Sequence, residues 1–358
     1  MCSHCPPGIH HTQARRVHAS MHVRSWAARA AATSPIMRPG KPRSGEPIPA
    51  MGLPPDGIPG YLKPIPFNER DIAALMREML RVNGPIVQRI LYSTWTAQRE
   101  ALKYQEIRNA LRDGEISQAT LDAWRLEYAR AVSDELGPIM ARLAAQSGGI
   151  VVAGFVQSGG DARIYALFER GIQNYIQQHA AALAVDLEAE QVRAVRAILA
   201  DLRERGITNP RAAARYLRPA IGLTEEAARA VARERAALEA IEGLSQAQIE
   251  HQIQNYVARL ERIRADRIAR TELAWAQNEG NQAAAQAGAE SGMFSGVRKR
   301  LVPAPGSCSF CLAVATLQPE DGIPVEDTFP GLTKRVPNVL VPPLHPNCYC
   351  VVAYYFTL

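Results

Sequence analysis

The residues of this chain that are best suited to chemistry lie near its C-terminus. Four of the six cysteines gather there with one histidine, in the two clusters Cys308-Ser-Phe-Cys311 and His345-Pro-Asn-Cys348-Tyr-Cys350. A Cys-x-x-Cys pair can direct two thiolates at one cation, and a second cluster with histidine and cysteine can complete a tetrahedron around it. Five candidate ligands therefore compete for the four positions of a zinc site.

Several interpretations of these clusters are open from the sequence. They could form a structural metal site, a group of reduced buried cysteines with a hydrogen-bonded His345, or a disulfide. Thiolate catalysis is the weakest interpretation, because a cysteine nucleophile needs a base and an orienting group, and only His345 offers either role. A redox Cys-x-x-Cys is expected to begin a helix in a βαβ pattern, and no such pattern surrounds this pair. We therefore predict a structural role.

Further motifs precede and separate the two clusters. They are Ile221-Gly222-Leu223-Thr224, Arg267-Ile268-Ala269-Arg270-Thr271-Glu272, Asn278-Glu279-Gly280, Val297-Arg298-Lys299-Arg300-Leu301-Val302, Gly322-Ile323-Pro324 and Pro342-Pro343-Leu344. Together with the cysteine clusters, this order of motifs resembles the C-terminal domain of phage head morphogenesis (minor head) proteins of the Mu F-like type. The chain departs from that pattern at Leu301, often aromatic in the family, at Pro305-Gly306-Ser307, where an acidic residue is usual, and at Tyr349, where arginine is usual.

The resemblance implies a function without catalysis. The protein would be a minor capsid protein of a tailed phage or prophage and would act as a structural assembly factor near the portal. Its partners would be the portal protein, the major capsid protein and packaged DNA. It would occupy the host cytoplasm during assembly and later the virion head. The resemblance also implies that Arg270, Thr271 and Glu272 bond the Cys/His block or a partner subunit.

Two alternative functions are open from the sequence. A zinc-ribbon nucleic-acid-binding protein is supported by a modest positive charge and by Arg298, Lys299 and Arg300 close to the cysteine knuckle. An effector enzyme is the second alternative, since the family's domain is sometimes joined to effector domains. The chain has no His-Glu-x-x-His motif, no phosphate loop and no recognisable catalytic triad. We therefore predict that it is not an enzyme.

Composition favours a helical protein. The 358 residues are 47% hydrophobic and 21% charged, which is enough for a sizeable core, and only 6% are aromatic. The net charge of +6 permits a nucleic-acid partner but does not require one. The cysteines lie in groups at the two ends of the chain, a distribution typical of metal binding in a reducing compartment. Because there is no unbroken run of eighteen apolar residues, we expect a soluble protein without a membrane-spanning helix.

Three regions are predicted along the chain. Residues 1–66 form a basic, proline-rich leader that we expect to be disordered, with a metal-binding arm as the alternative. The residues behind this alternative are Cys2, His4, Cys5, His10 and His11, and an initiator at Met21, Met37 or Met51 would remove part of the leader. Residues 67–206 form a helical domain. Residues 207–358 form the Mu F-like domain, with its Cys/His cluster at 308–350.

Periodicity and turn residues predict the individual elements. We expect one helix from Glu69 to the Asn83-Gly84-Pro85 turn and another at 86–111. A third, capped by Ser117, would end at Gly137-Pro138. Residues 148–156 are predicted to be a hinge, and helices follow at 162–183 and 188–205 and after Thr224. The seam from Ile249 to Ile263 should pack against a helix of the same chain. Strands are predicted at 297–302, 339–341 and 350–356, so the expected fold is mainly α-helical with a small C-terminal α+β domain that zinc could staple.

Overall fold

The fold was analysed in a computed structural model, which describes residues 69–157, 164–292, 294, 296–331 and 338–357. The predictions for the leader, including a metal-binding arm at Cys2 and Cys5, lie outside the described residues. Of the residues that are described, 73% are helical, and a small three-stranded antiparallel sheet lies at the C-terminus. The predicted fold class is therefore confirmed.

Helix α1 spans Glu69–Ala101 and contains Pro85 in its interior. The prediction that the helix stops at Gly84-Pro85 is wrong. A proline in a helix interior costs about 3 kcal/mol, because it removes a backbone hydrogen bond and crowds the preceding turn. The helix continues past Pro85 because its apolar face also continues. Val87, Leu91 and Trp95 on that face are all buried in the core. Tertiary packing outweighs the local break signal.

The next helices form one nearly continuous rod. After α2 (Tyr104–Asp113), α3 (Gln118–Arg130) is joined through a π-helical turn, Ala131–Leu136, to α4 (Gly137–Gln157). Ser117 caps α3 as predicted, since its side chain accepts a hydrogen bond from the backbone N–H of Thr120. The predicted end at Gly137-Pro138 is wrong, because the π turn accommodates the proline without breaking the rod.

By length and composition alone, the segment Gln118–Val156 of this rod could cross a membrane. Polar and charged residues interrupt this segment, so it contains no unbroken run of eighteen apolar residues. In the fold, 56% of its most apolar window is buried inside the protein. A helix that forms the core of a globular protein has the same properties.

Residues 148–156 belong to α4, and the prediction of a hinge is wrong. Gly148 lies where α4 meets two other helices, and a Cβ atom there would lie 2.2 Å from the ring of Phe168 and 2.7 Å from the carbonyl oxygen of Gly280. Its missing side chain therefore permits close helix packing. Gly148, one of the glycines that suggested a hinge in the sequence, is therefore a packing residue in the fold.

The remaining helices are long and well capped. Helix α5 (Ile164–Glu204) is one helix where two were predicted. It is followed by α6 (Pro210–Leu217), a 3₁₀ turn at Arg218–Ala220, α7 (Glu225–Glu239) and α8 (Gln246–Glu290). Thr224 caps α7 as predicted. The seam of α8 is intramolecular, as expected, because Ile249 and Ile253 are buried in a cluster of this chain.

The C-terminal sheet has β1 (Gly296–Val302) at its centre, between β2 (Ile323–Pro324) and β3 (Val351–Thr357). Both neighbours are antiparallel to β1. The strands predicted at 297–302 and 350–356 are confirmed, whereas 339–341 contributes only an isolated bridge between Val339 and Phe329. Strand β2 and a short helix, α9 (Ser309–Thr316), were not predicted.

Two large buried clusters organise the molecule. One joins α1, α4, the first half of α5 and the second half of α8 to the sheet. The other joins α2, the second half of α5, α6, α7 and the first half of α8. Both clusters take residues from each side of the predicted division at 206/207. The division of the chain into domains at 206/207 therefore remains a prediction. Helix α8 contributes residues to both cores.

Candidate metal centre

The five predicted ligand residues are positioned by α9 and by the loop before β3. Cys308 is the N-cap residue of α9, and Cys311 lies buried in its first turn. His345, Cys348 and Cys350 lie on the loop, where the N–H of Cys348 donates a hydrogen bond to the carbonyl oxygen of His345 at 3.0 Å. A helix start and a tight turn thus bring the two sequence clusters face to face.

The donor atoms form two groups that share Cys311. One group is Cys308, Cys311 and His345, the other is Cys311, Cys348 and Cys350, and within each group all donor atoms lie within 4.8 Å of one another. The Cys311 sulfur lies 3.7 Å from that of Cys308 and 3.8 Å from that of Cys348. Two thiolates on one tetrahedral zinc ion, each bonded at about 2.3 Å, lie about 3.8 Å apart. The cluster therefore has the spacing to hold a metal ion.

His345 is oriented as a ligand. Its Nε2 atom lies 3.2 Å from the Cys308 sulfur and 3.0 Å from the Cys311 sulfur, while its Nδ1 atom lies 2.8 Å from the carbonyl oxygen of Pro346. A carbonyl can only accept a hydrogen bond, so this contact assigns the proton to Nδ1. The lone pair of Nε2 then faces the thiols. Metal-bound histidines show the same outer hydrogen bond.

The electrostatics of the cluster favour a bound cation. Hydrogen bonding with Cys311 is the largest of the effects that lower the pKa of Cys308 to about 3, and partial burial acts against this shift. The pKa of Cys350 is also lowered, by hydrogen bonds from Cys311 and Cys348, whereas the pKa values of Cys311 and Cys348 are raised. Thiolates held this close inside a fold repel one another. A divalent cation would relieve that repulsion.

None of these four cysteines forms a disulfide. The disulfide interpretation is therefore not what the described part of the chain shows. Cys308 does begin a helix, as a redox Cys-x-x-Cys would, but the neighbouring sheet is antiparallel and no βαβ unit is formed. The arrangement fits metal binding better than dithiol chemistry.

Helix α8 supports the loop that carries three of the donors. The hydroxyl of Thr271 accepts a hydrogen bond from the backbone N–H of Asn347 at 3.3 Å, and the guanidinium of Arg270 lies 5.3 Å from the centre of the Tyr349 ring. These contacts are of the kind predicted for Arg270 and Thr271. Glu272 instead contacts His179 of α5 at 2.6 Å, away from the cluster. Arg270 and Glu272 do not pair with each other, and the local partner of Arg270 is Asp266 at 2.8 Å.

The basic residues of β1, Arg298, Lys299 and Arg300, form hydrogen bonds with other parts of the C-terminal block. Arg298 donates to the carbonyl oxygen of Gly322 at 2.6 Å and pairs with Asp321 at 3.1 Å, and Arg300 donates to the carbonyl oxygen of Glu320. Lys299 is fully buried, and its amine donates to the carbonyl oxygen of Leu340 at 2.9 Å. The prediction that Lys299 could meet an external partner is wrong. The sequence could have indicated that Lys299 is buried. Side chains alternate between the two faces of a strand, so Lys299 lies on the same face as the apolar Val297 and Leu301.

Two buried amides of α8 were not singled out as site residues. Asn278 donates to the carbonyl oxygen of Cys350 at 3.2 Å. Gln282 accepts from Lys299 and Tyr354 and donates to the carbonyl oxygen of Val325 at 2.7 Å. Their spacing of four residues places them on one face of α8. Two amides on one face of an alanine-rich helix could have identified Asn278 and Gln282 from the sequence. Buried amides need hydrogen-bond partners, so such residues are expected to bond to other elements.

The donor set, its hydrogen bonds and its support from α8 define this candidate metal centre by geometry. No protein-family model, no curated protein and no solved structure matches the chain.

Proposed function

We propose that this protein is a minor capsid, or head morphogenesis, protein of a tailed phage or prophage and acts as a structural assembly factor in the virion head. Its partners would be the portal protein, the major capsid protein and packaged DNA. It would act in the host cytoplasm during assembly and then reside in the head. The proposal rests on the motif resemblance, and one feature of the fold supports it.

That feature is the contact between motifs far apart in the sequence. Thr271, from the second motif, bonds Asn347 of the second cysteine cluster, and Asn278, from the third motif, bonds Cys350 of the same cluster. The strand formed by Val297–Val302 pairs with the Gly322-Ile323-Pro324 motif. Ile221–Thr224 is the exception, because it packs in the other core. Motifs that build one packed unit are what a common domain requires.

We propose zinc as the ion of the Cys/His cluster, bound by four of the five donors Cys308, Cys311, His345, Cys348 and Cys350. Thiolate and imidazole donors together suit zinc, and a site filled by protein donors is structural rather than catalytic. A sheet with one strand of only two residues has little core of its own. The free energy of metal binding would then contribute directly to the folding of this block.

Elemental analysis of the purified full chain tests the zinc proposal. We expect one zinc per chain, lost in a Cys308→Ser/Cys311→Ser variant. The matched control is Cys2→Ser/Cys5→Ser, which removes a pair from the leader and should leave the metal content unchanged. A metal-free chain that folds equally well with and without its cysteines, or loss of zinc in the control alone, would disprove the proposed site.

Co-purification tests the proposed role in the virion. The full chain is co-expressed with the portal and major capsid proteins of the same phage, and a complex with the portal is the expected result. A zinc-loaded, folded chain that co-purifies with neither protein would count against the assembly role. The nucleic-acid-binding alternative gains no support from the fold, because Lys299 is buried and both Arg298 and Arg300 bond within their own block.

A further inference from the structure

A buried lysine and a buried glutamine meet where the helical body contacts the C-terminal block. Lys299 lies on β1 and Gln282 on α8, and the exposed fractions of the two residues are 0% and 1%. The amine nitrogen of Lys299 lies 3.3 Å from the side-chain oxygen of Gln282. The amide carbon is one bond from that oxygen, so the amine lies beside an atom that it could attack.

The amide of Gln282 is held in one orientation. Its nitrogen donates a hydrogen bond at 2.7 Å to the carbonyl oxygen of Val325, which can only accept. Its oxygen therefore faces Lys299, and the hydroxyl of Tyr354 donates to the same oxygen at 3.0 Å. A donor in this place stabilises the negative charge that develops on the oxygen when a nucleophile adds to the carbon. The amide is thus both oriented and polarised.

Burial of the Lys299 amine is not offset by a direct ion pair within the part of the chain that the structure describes. Its contacts besides Gln282 are the carbonyl oxygen of Leu340 at 2.9 Å and the ring of Phe329, whose centre lies 5.4 Å away. Burial of a charge is costly, and it lowers the pKa of Lys299 to about 8. A share of the amine is then uncharged near neutral pH, and an uncharged, desolvated amine is a nucleophile.

Glu279 is suited to carry the proton that such a reaction moves. It lies one turn before Gln282 on α8, so the two side chains are on the same face of the helix. Its negative charge acts on Lys299. Burial raises the pKa of Glu279 to about 7. A carboxyl group that titrates near neutral pH can accept a proton and give it back.

We propose that Lys299 and Gln282 form an intramolecular isopeptide bond. The Lys299 nitrogen bonds to the amide carbon of Gln282, the bond from that carbon to its own nitrogen breaks, and this nitrogen leaves as ammonia. One proton passes from the amine to the leaving nitrogen, with Glu279 as its carrier. The reaction needs no oxidant, reductant or further reactant. It ties β1 covalently to α8 and removes a buried positive charge. The inference rests neither on the proposed role in the virion nor on zinc.

Mass spectrometry of the purified full chain tests this bond. The chain is incubated at pH 8 until its mass is constant and is then denatured. We expect a mass below that of the sequence by one molecule of ammonia, and a protease digest with one branched peptide that joins Lys299 to Gln282. A folded chain with the full sequence mass would overturn the proposal. Loss of one water in place of ammonia would also overturn it, because the bond would then involve a carboxyl group and not Gln282.

Matched variants assign the reaction to these side chains. Lys299→Arg keeps a positive charge that is no nucleophile and should abolish the loss of ammonia, whereas Lys103→Arg, the same change at an exposed position, should retain it. Glu279→Gln leaves both reacting groups in place and should slow formation of the bond about a hundredfold or more. Ammonia loss that persists in Lys299→Arg would refute the site. An unchanged rate in Glu279→Gln would refute the role of Glu279 as proton carrier.

Discussion

The helical body of α1 to α8 and the C-terminal block of β1 to β3 with α9 are stabilised in different ways. The body buries long apolar faces, and at Gly148 and Gly280 its helices approach closely enough to exclude any side chain. The block has a thin sheet, and its loops are held by polar contacts and by the Cys/His cluster. Apolar burial is insensitive to metal, whereas a ligand cluster is not. The two regions should therefore respond to different perturbations.

Metal removal should separate the two regions most strongly. Structural zinc contributes about 10–16 kcal/mol of binding free energy in small zinc domains, so chelation of the proposed zinc ion should release most of the order in the block. We expect hydrogen exchange to accelerate in β1 and β3, while α5 remains protected and the helical circular dichroism is largely kept. His345→Ala should act in the same direction. Equal deprotection of both regions would show that the body also depends on the cluster.

Adding a side chain where two helices cross should have the opposite effect: it should destabilise the helical body and leave the C-terminal block unaffected. In Gly280→Ala the new Cβ atom would lie 2.1 Å from the carbonyl oxygen of Ala144, so α4 and α8 must move apart. Overpacking of this kind costs about 1–3 kcal/mol. Urea unfolding should show that loss of stability, while the metal content of the folded variant equals that of the unmodified chain. Gly171→Ala, where a Cβ atom meets nothing within 4 Å, is the control and should be neutral or slightly stabilising.

The body should also become less stable as pH rises through the range in which Asp186 titrates. Burial, followed by repulsion from Glu190, raises the pKa of Asp186 to about 7 from a usual value of 3.8. Between these values the unfolded chain loses the proton while the folded chain keeps it, so stability falls from about pH 4 to pH 7 and then levels off.

Asp186→Asn tests this cause. The variant should gain about 1–2 kcal/mol at pH 8 relative to the unmodified chain, after allowance for screening by solvent, and its pH dependence should flatten. Chemical denaturation at pH 5 and pH 8 is the measurement. Asp134→Asn, at an exposed position of the same body, should change neither value. A parallel shift in both variants would assign the effect to net charge rather than to burial.

The smallest effect is expected where the two regions meet. Thr271→Val keeps the shape of the side chain and removes the acceptor for the N–H of Asn347. Loss of one such bond costs about 1 kcal/mol. The loss should appear as faster hydrogen exchange in the loop before β3 and not in α5. Thr316→Val, whose hydroxyl only donates to a carbonyl of its own helix, is the control.

Local signals were sufficient for much of the fold. Ser117 and Thr224 cap their helices because a hydroxyl satisfies N–H groups only a few residues away. The strand at 297–302 follows from alternation that is equally local. The errors at Pro85 and Gly148 have one cause, since each is a break signal that packing against distant helices overrides, whereas at Pro138 a π-helical turn accommodates the proline. The sequence allows an estimate of the local free-energy cost of a proline or glycine in a helix. It does not reveal the free energy gained when that helix packs against a distant one.

The sequence by itself determined which residues have ligand chemistry and most of the segments that are helical, because side-chain type and periodicity are properties of the chain. Only the tertiary structure decided that Cys311 is shared by two groups of donors, that Lys299 faces inward, and that Asn278 holds the loop through Cys350. These are relations between residues that lie tens of positions apart in the chain. Such distances become short only when buried surface brings the elements together, and no local pattern records them.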